Sequence, residues 1–194
     1  MIYGQGKATT TWLPPHYRVS PFAGRFRKTQ STGNTRMEAL RIVLLVFWAT
    51  HIPATLLVDS QAVLPARLVP SFAADLLAWH VRRTGDPVMT APFQPWFRAL
   101  VVGELLFQLP FFFVAVYAFA YRRNWVRIPA LVYGVHTATT LLPILSEIWH
   151  SPKVPSTEAR MQLLAMYAPY GILPAACAIW MAHSPLPFGK QKTR

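Results

Sequence analysis

Residues 103–112, GELLFQLPFF, place Glu104, Gln108 and Pro110 inside a stretch otherwise as apolar as a lipid tail. The apolar run around them extends from Phe97 to Tyr121, long enough at about 1.5 Å per residue to cross a hydrocarbon core of about 30 Å. A charged carboxylate at that depth costs at least ~2.5 kcal/mol, so Glu104 must face the interior of a helix bundle and have a partner there. The stretch therefore reads as a membrane span whose carboxyl group needs a partner within the bilayer.

Three more runs of this kind lie at Leu40–Val58, Val126–Trp149 and Met161–His183. Together they predict an all-α, four-span bundle over residues 38–185, with kinked helices around an intramembrane ligand cavity. A basic N-terminal extension (1–37), expected to be disordered, precedes the bundle, and a basic tail (186–194) follows it. Apolar residues at 53% against 13% charged suggest a membrane protein. Between the first two spans, residues 61–96 are polar and aromatic, with turn signals at Gly85-Asp86-Pro87 and Pro92. PSFAADLLAWHVRR has a helical pattern, so a loop with one short surface helix is predicted. Cys177 is the one cysteine and lies in a span, so no intrachain disulfide forms.

Basic residues flank the spans unequally. Thirteen of the nineteen Lys and Arg fall before or just inside the first span, in the link between spans two and three (Arg122, Arg123, Arg127), or at the C-terminus; six fall on the opposite side. Lys- and Arg-rich flanks stay cytosolic, so both termini are expected in the cytosol. The same bias accounts for the formal charge of +12. It suits anionic lipid headgroups and calls for no nucleic-acid partner. The final KQKTR sets Lys190 and Lys192 at the fifth and third positions from the end, the spacing of a dibasic retrieval signal. An endoplasmic reticulum membrane location, continuous with the nuclear membrane, follows as an expectation. Residues 1–37 contain no acid, as in mitochondrial transit peptides, but Pro14-Pro15, Pro21 and Gly24 should break any long amphipathic helix.

With that orientation, Glu104 lies roughly seven residues, or ~10 Å, below the lumenal end of the second span, and Gln108 one turn deeper. Asp59 closes the first span. Thr140 lies near the lumenal end of the third, and Tyr167 and Tyr170 near that of the fourth, so all four spans offer polar side chains at one level. If Asp59 and Glu104 meet in a dry cavity, both cannot easily ionise. One proton is then shared, held by the deeper Glu104, and one negative charge is left for a cation on an otherwise greasy molecule. A structural reading stays open beside this one: Asp59 ends its span among headgroups, and Glu104 is a protonated carboxyl bonded within the bundle. Pro53, Pro110, Pro129, Pro143, Pro169 and Pro174 stand in the spans, where each frees a carbonyl and kinks the axis around a pocket. His51 and His136 also lie in spans. Single histidines there serve as helix-to-helix hydrogen bonders, and no spacing points to a metal site.

Four motifs in order, HIPATLLVDSQAVLP (51–65), GELLFQLPFF (103–112), VYGVHTATTLLPIL (132–145) and YAPYGILP (167–174), resemble the EXPERA family, which includes the emopamil-binding sterol isomerases. The resemblance extends from about Arg41 to Pro185 and includes the loop piece DPVMTAPFQPWF; the long N-terminal extension departs from it. It implies four or five spans around a cavity that takes sterols, oxysterols and cationic amphiphiles. It further implies Asp59 as the amine-binding carboxylate and Glu104 as its protonated partner. Gln108, Tyr133, Thr140, Tyr167 and Tyr170 become cavity lining, with His51 counted among the ligand contacts. No cofactor or metal is expected. Two function classes follow: a non-catalytic sterol receptor of cholesterol homeostasis, homodimeric and acting with a cholesterol transporter, or a sterol double-bond isomerase whose acidic pair stabilises a carbocation. A pure trafficking adaptor would leave the buried acids unexplained.

Overall fold

Seven α-helices build the described residues, with no strand among them. The computed structural model describes the backbone of residues 21–189 and the side chains of 35–189. The helices are α1 (Pro21–Leu57), α2 (Ser71–Thr84), α3 (Pro95–Gly103), α4 (Leu109–Ala120), α5 (Arg127–His150), α6 (Thr157–Tyr167) and α7 (Pro169–His183). Four segments are long and apolar enough to span a membrane: Thr35–Ala62, Pro95–Ala120, Asn124–His150 and Thr157–His183. Each expected span lies within one of these to within a residue, and the protein is a multi-pass membrane protein.

The chain divides into two units, Met1–Ala39 and Leu40–Arg194, and the second carries everything that follows. The tail KQKTR, with its retrieval signal, and residues 1–20 of the extension lie outside the described residues. From Pro21 onward the extension is helical where disorder was expected. Pro21 stands at the first described position of α1, where its fixed φ suits a helix, and a glycine such as Gly24 costs a helix interior only about 1 kcal/mol.

Small residues and aromatics divide the packing between them. Ala115, Ala118 and Ala130 are fully buried, as are Trp48, Phe112 and Phe119. α5 and α7 run closest, and Gly134 is the reason: a Cβ there would lie 2.9 Å from Ala178 Cβ and collide with the Pro174 carbonyl. Such close approach of backbones is how helices associate in lipid, where apolar burial gives no net drive. The large apolar side chains left exposed, among them Ile42, Phe107, Val132 and Ile172, are the lipid-facing complement of this core.

Two elements break the regular helices, both at proline. In the second span Pro110 has no N–H to give and its ring excludes the Leu106 carbonyl. The turn Glu104–Gln108 widens to π geometry, with the Leu109 amide donating to the Glu104 carbonyl five residues back. In the fourth span Pro169 divides α6 from α7.

The segment between spans one and two is more than a surface loop. Ala73 and Leu77 of α2 are buried, and Leu77 joins Val88, Met89, Phe97, Ile148 and Leu163 in one cluster at the shared end of all four spans. The expected turn at Gly85-Asp86-Pro87 is present, with Gly85 at φ 66° closing α2. Asp86 is nevertheless wholly buried.

Candidate functional site

Span one offers His51 and Thr55 one turn apart on α1, and Asp59 opens the short 3₁₀ turn that follows Leu57, so that His51 and Thr55 share one face. That face meets Glu104. Thr55 Oγ1 donates to Glu104 Oε1 at 2.6 Å, and His51 Nε2 lies 3.6 Å from the same oxygen. One ligand atom from each of His51, Asp59 and Glu104 falls within 4.8 Å of the others, so the two carboxyl groups do converge. They sit in a cavity of about 280 Å³ whose other polar lining is His80, Gln108, Thr137, Thr140, Tyr167 and Tyr170. Apolar walls come from Ala54, Val58, Phe97, Val101, Leu141, Ile144 and Met89, among others. A small number of polar groups converging in an apolar pocket of this size is the usual form of a small-molecule site.

The π turn contributes to this convergence. Its extra residue re-phases the second span between Glu104 and α4, and Glu104 and Gln108 both reach the cavity while Leu106 and Phe107 between them face outward. Gln108 is held by Thr137, whose Oγ1 donates to Gln108 Oε1 at 3.0 Å. Thr140 Oγ1 donates to the Thr137 carbonyl at 3.0 Å. On the fourth span the break at Pro169 lets Tyr167 and Tyr170 both line the cavity.

Of the residues singled out from sequence, His51, Asp59, Glu104, Gln108, Thr140, Tyr167 and Tyr170 all line this one cavity. Tyr133 does not. It is buried one layer away, stacked on Phe111 at 4.6 Å and edge-on to Phe112 and Trp48. It follows Ala130 and precedes Thr137 on the buried face of α5, so depth alone could not separate core from lining. His136 is exposed on the outer face of α5, where a helix-to-helix hydrogen bonder was expected.

Sequence reading passed over the cavity's upper wall. His80 and Met89 come from the segment read as a surface loop, and Asp86 holds that segment in place. The Asp86 carboxylate accepts from the Val88 and Met89 amides at 2.9 and 3.2 Å and from Tyr167 Oη at 2.8 Å, and lies 2.9 Å from His80 Nε2. Burial by itself would raise this carboxyl's pKa. The hydrogen bonds from His80, Tyr167 and the two amides outweigh it and hold the value below the ordinary one. Through Tyr167 the loop is thus tied to a residue of the cavity wall. Thr55 was also missed, although its place midway between His51 and Asp59 was a signal.

Comparison with known proteins gives consistent matches. Residues 72–181 match the family model EBP: EXPERA (EXPanded EBP superfamily). Sigma intracellular receptor 2 of Xenopus tropicalis is 42% identical over 154 residues, covering 75% of this chain and 90% of the relative. The Homo sapiens protein of the same name is 39% identical over 154 residues, 74% of this chain and 87% of the relative. Efficient mitochondria targeting-associated protein 19 of Schizosaccharomyces pombe is 30% identical over 140 residues, 70% and 69% respectively.

Proposed function

This chain belongs to the EXPERA superfamily, and we propose that it acts as a membrane receptor of the sigma intracellular receptor 2 type, binding cationic amphiphiles and sterols or oxysterols in its intramembrane cavity. The observation that carries the reading is the meeting of Asp59 and Glu104 beneath apolar walls. A sole carboxylate in hydrocarbon would simply stay protonated. Two that share a proton keep one negative charge, which a ligand amine neutralises while the apolar body fills the rest of the pocket. A neutral sterol uses the same walls without the ion pair. The receptor sits in the endoplasmic reticulum with both termini cytosolic, serves cholesterol homeostasis with a transporter partner, works as a homodimer and is not itself an enzyme.

Binding of a labelled cationic amphiphile to Asp59→Asn tests this. Loss of a desolvated ion pair costs on the order of 3–5 kcal/mol, two to three decades in affinity. A neutral sterol should lose much less. Equal losses for both ligands would defeat the reading.

One contact favours a second reading, a sterol double-bond isomerase: His51 Nε2 faces Glu104 Oε1, setting a base beside an acid. Sterol profiling of cells that lack an endogenous isomerase and express this chain decides between the two, since a restored product requires catalysis.

A further inference from the structure

Amine binding uses only part of what the cavity floor brings together. His51, Asp59 and Glu104 come from two spans, and one ligand atom of each lies within 4.8 Å of the others. We propose that these three side chains form a binding site for a divalent transition-metal cation, and that their chemistry selects Zn²⁺. The proposal shares its cavity with the receptor reading but does not depend on any ligand being bound there.

Charge supplies the first argument. A divalent cation neutralises both carboxylates at once, so neither has to carry a proton or stay charged in a low-dielectric cavity. Donor type supplies the second. One imidazole with two carboxylates is a mixed nitrogen and oxygen set, which suits zinc, whereas Ca²⁺ and Mg²⁺ take oxygen alone. Three protein ligands also leave a fourth position open to the cavity, the form of zinc sites that accept an outside ligand.

His51 supplies the independent argument. The residue is only 8% exposed, yet its Nδ1 has no hydrogen-bond partner among the described residues. Its Nε2 finds only Glu104 Oε1 at 3.6 Å, beyond hydrogen-bond range. A buried imidazole with an unpartnered nitrogen, whose other nitrogen makes no hydrogen bond and faces a carboxylate, is costly and calls for an explanation. The ring is not free to look elsewhere: it stacks on Phe112 at 4.8 Å and meets Phe47 and Tyr170 edge-on. Glu104 is oriented as well, by the Thr55 hydroxyl at 2.6 Å, the outer-shell support that metal-binding carboxylates ordinarily have. Zinc bonds of about 2.0–2.2 Å place ligand atoms roughly 3.4 Å apart, so the trio needs to contract by little more than ~1 Å.

The test uses the full chain purified in detergent, stripped by chelator and dialysed against Zn²⁺, with bound metal measured by elemental analysis. About one Zn²⁺ per chain is expected. His51→Phe, which keeps a ring on Phe112, and Asp59→Asn should each weaken uptake by ~100-fold or more, and Thr55→Val by ~10-fold through the loosened Glu104. On the unaltered chain a saturating cationic amphiphile should release the metal, a measurement that needs no variant to fold. Zinc held by His51→Phe at wild-type affinity, or zinc and amphiphile bound together at full occupancy, overturns the proposal. So does an absence of uptake, and amphiphile binding that persists in that case leaves the receptor reading standing. Uptake that the variants abolish supports the metal site even if no amphiphile binds, an outcome that sinks only the receptor reading.

Discussion

Asp86 shows how much one side chain holds. Its carboxylate satisfies two loop amides and the Tyr167 hydroxyl, so Asp86→Ala leaves three buried donors without an acceptor. The expected loss is about 3–5 kcal/mol of stability, read as a lowered thermal midpoint, with weaker ligand binding because His80 and Met89 of the cavity wall move with the loop. Tyr167→Phe removes one of these bonds and should cost about 1.5–3 kcal/mol. The pH dependence has a definite sign. The folded carboxyl titrates below its ordinary value of 3.8, so its contribution is fully present above that value and is lost as pH falls through the lower, folded one. Stability from this group should be level from neutrality down to that point and decline only beneath it; a decline already complete at pH 5 would refute the assignment. Glu104 makes a contrasting case. Glu104→Gln keeps the oxygen that accepts from Thr55, whereas Glu104→Ala strands a fully buried hydroxyl at a cost of roughly 1–3 kcal/mol, so thermal unfolding should rank Gln well above Ala. Asp86 was invisible from sequence for a plain reason. Gly-Asp-Pro is a turn signal, and nothing local says that a turn will be buried.

Among the elements, two glycines in apolar helices behave oppositely. A Cβ on Gly134 meets Ala178 and the backbone of Pro174, which cannot move aside cheaply, while a Cβ on Gly103 meets nothing within 4 Å. Gly134→Ala should therefore cost about 1–3 kcal/mol through overpacking of α5 on α7, and Gly103→Ala should be neutral or stabilise by about 0.5–1 kcal/mol through its better helix propensity. Melting both variants in one detergent checks the pair, and equal midpoints would contradict the close-contact account. The π turn carries its own prediction. Deleting Leu106 removes the extra residue and rotates the second span above the turn by about 100° relative to α4, as one residue of helix does. Ligand binding should disappear while the helical content by circular dichroism persists. Pro110 made a kink legible in the sequence, but not that the kink would take the form of a widened turn.

For the molecule as a whole, the unequal distribution of Lys and Arg predicts orientation. Tags at both ends should be cleaved by protease added outside sealed microsomes, and protection of either would reverse the reading. In that orientation the packed segment around α2 lies on the lumenal side, above the cavity. Lys190→Ala with Lys192→Ala should then let the protein escape to later membranes, as judged by its glycan-independent colocalisation with marker proteins; an unchanged location would make the basic tail incidental.

The sequence by itself determined the four spans, their limits to within a few residues, and the common depth of Asp59, Glu104, Gln108, Thr140, Tyr167 and Tyr170. Apolar length and position along a span are local properties, written in consecutive residues. Only the tertiary structure decided which of these groups touch. Whether Tyr133 faces the pocket or the aromatic core, whether Asp86 is a surface turn or a buried clasp, and whether His51 meets two carboxylates from different stretches of chain all depend on how each helix is rotated about its axis. That rotation is set by contacts between distant segments, Gly134 against Pro174 and Thr55 against Glu104, and by one extra residue in a widened turn.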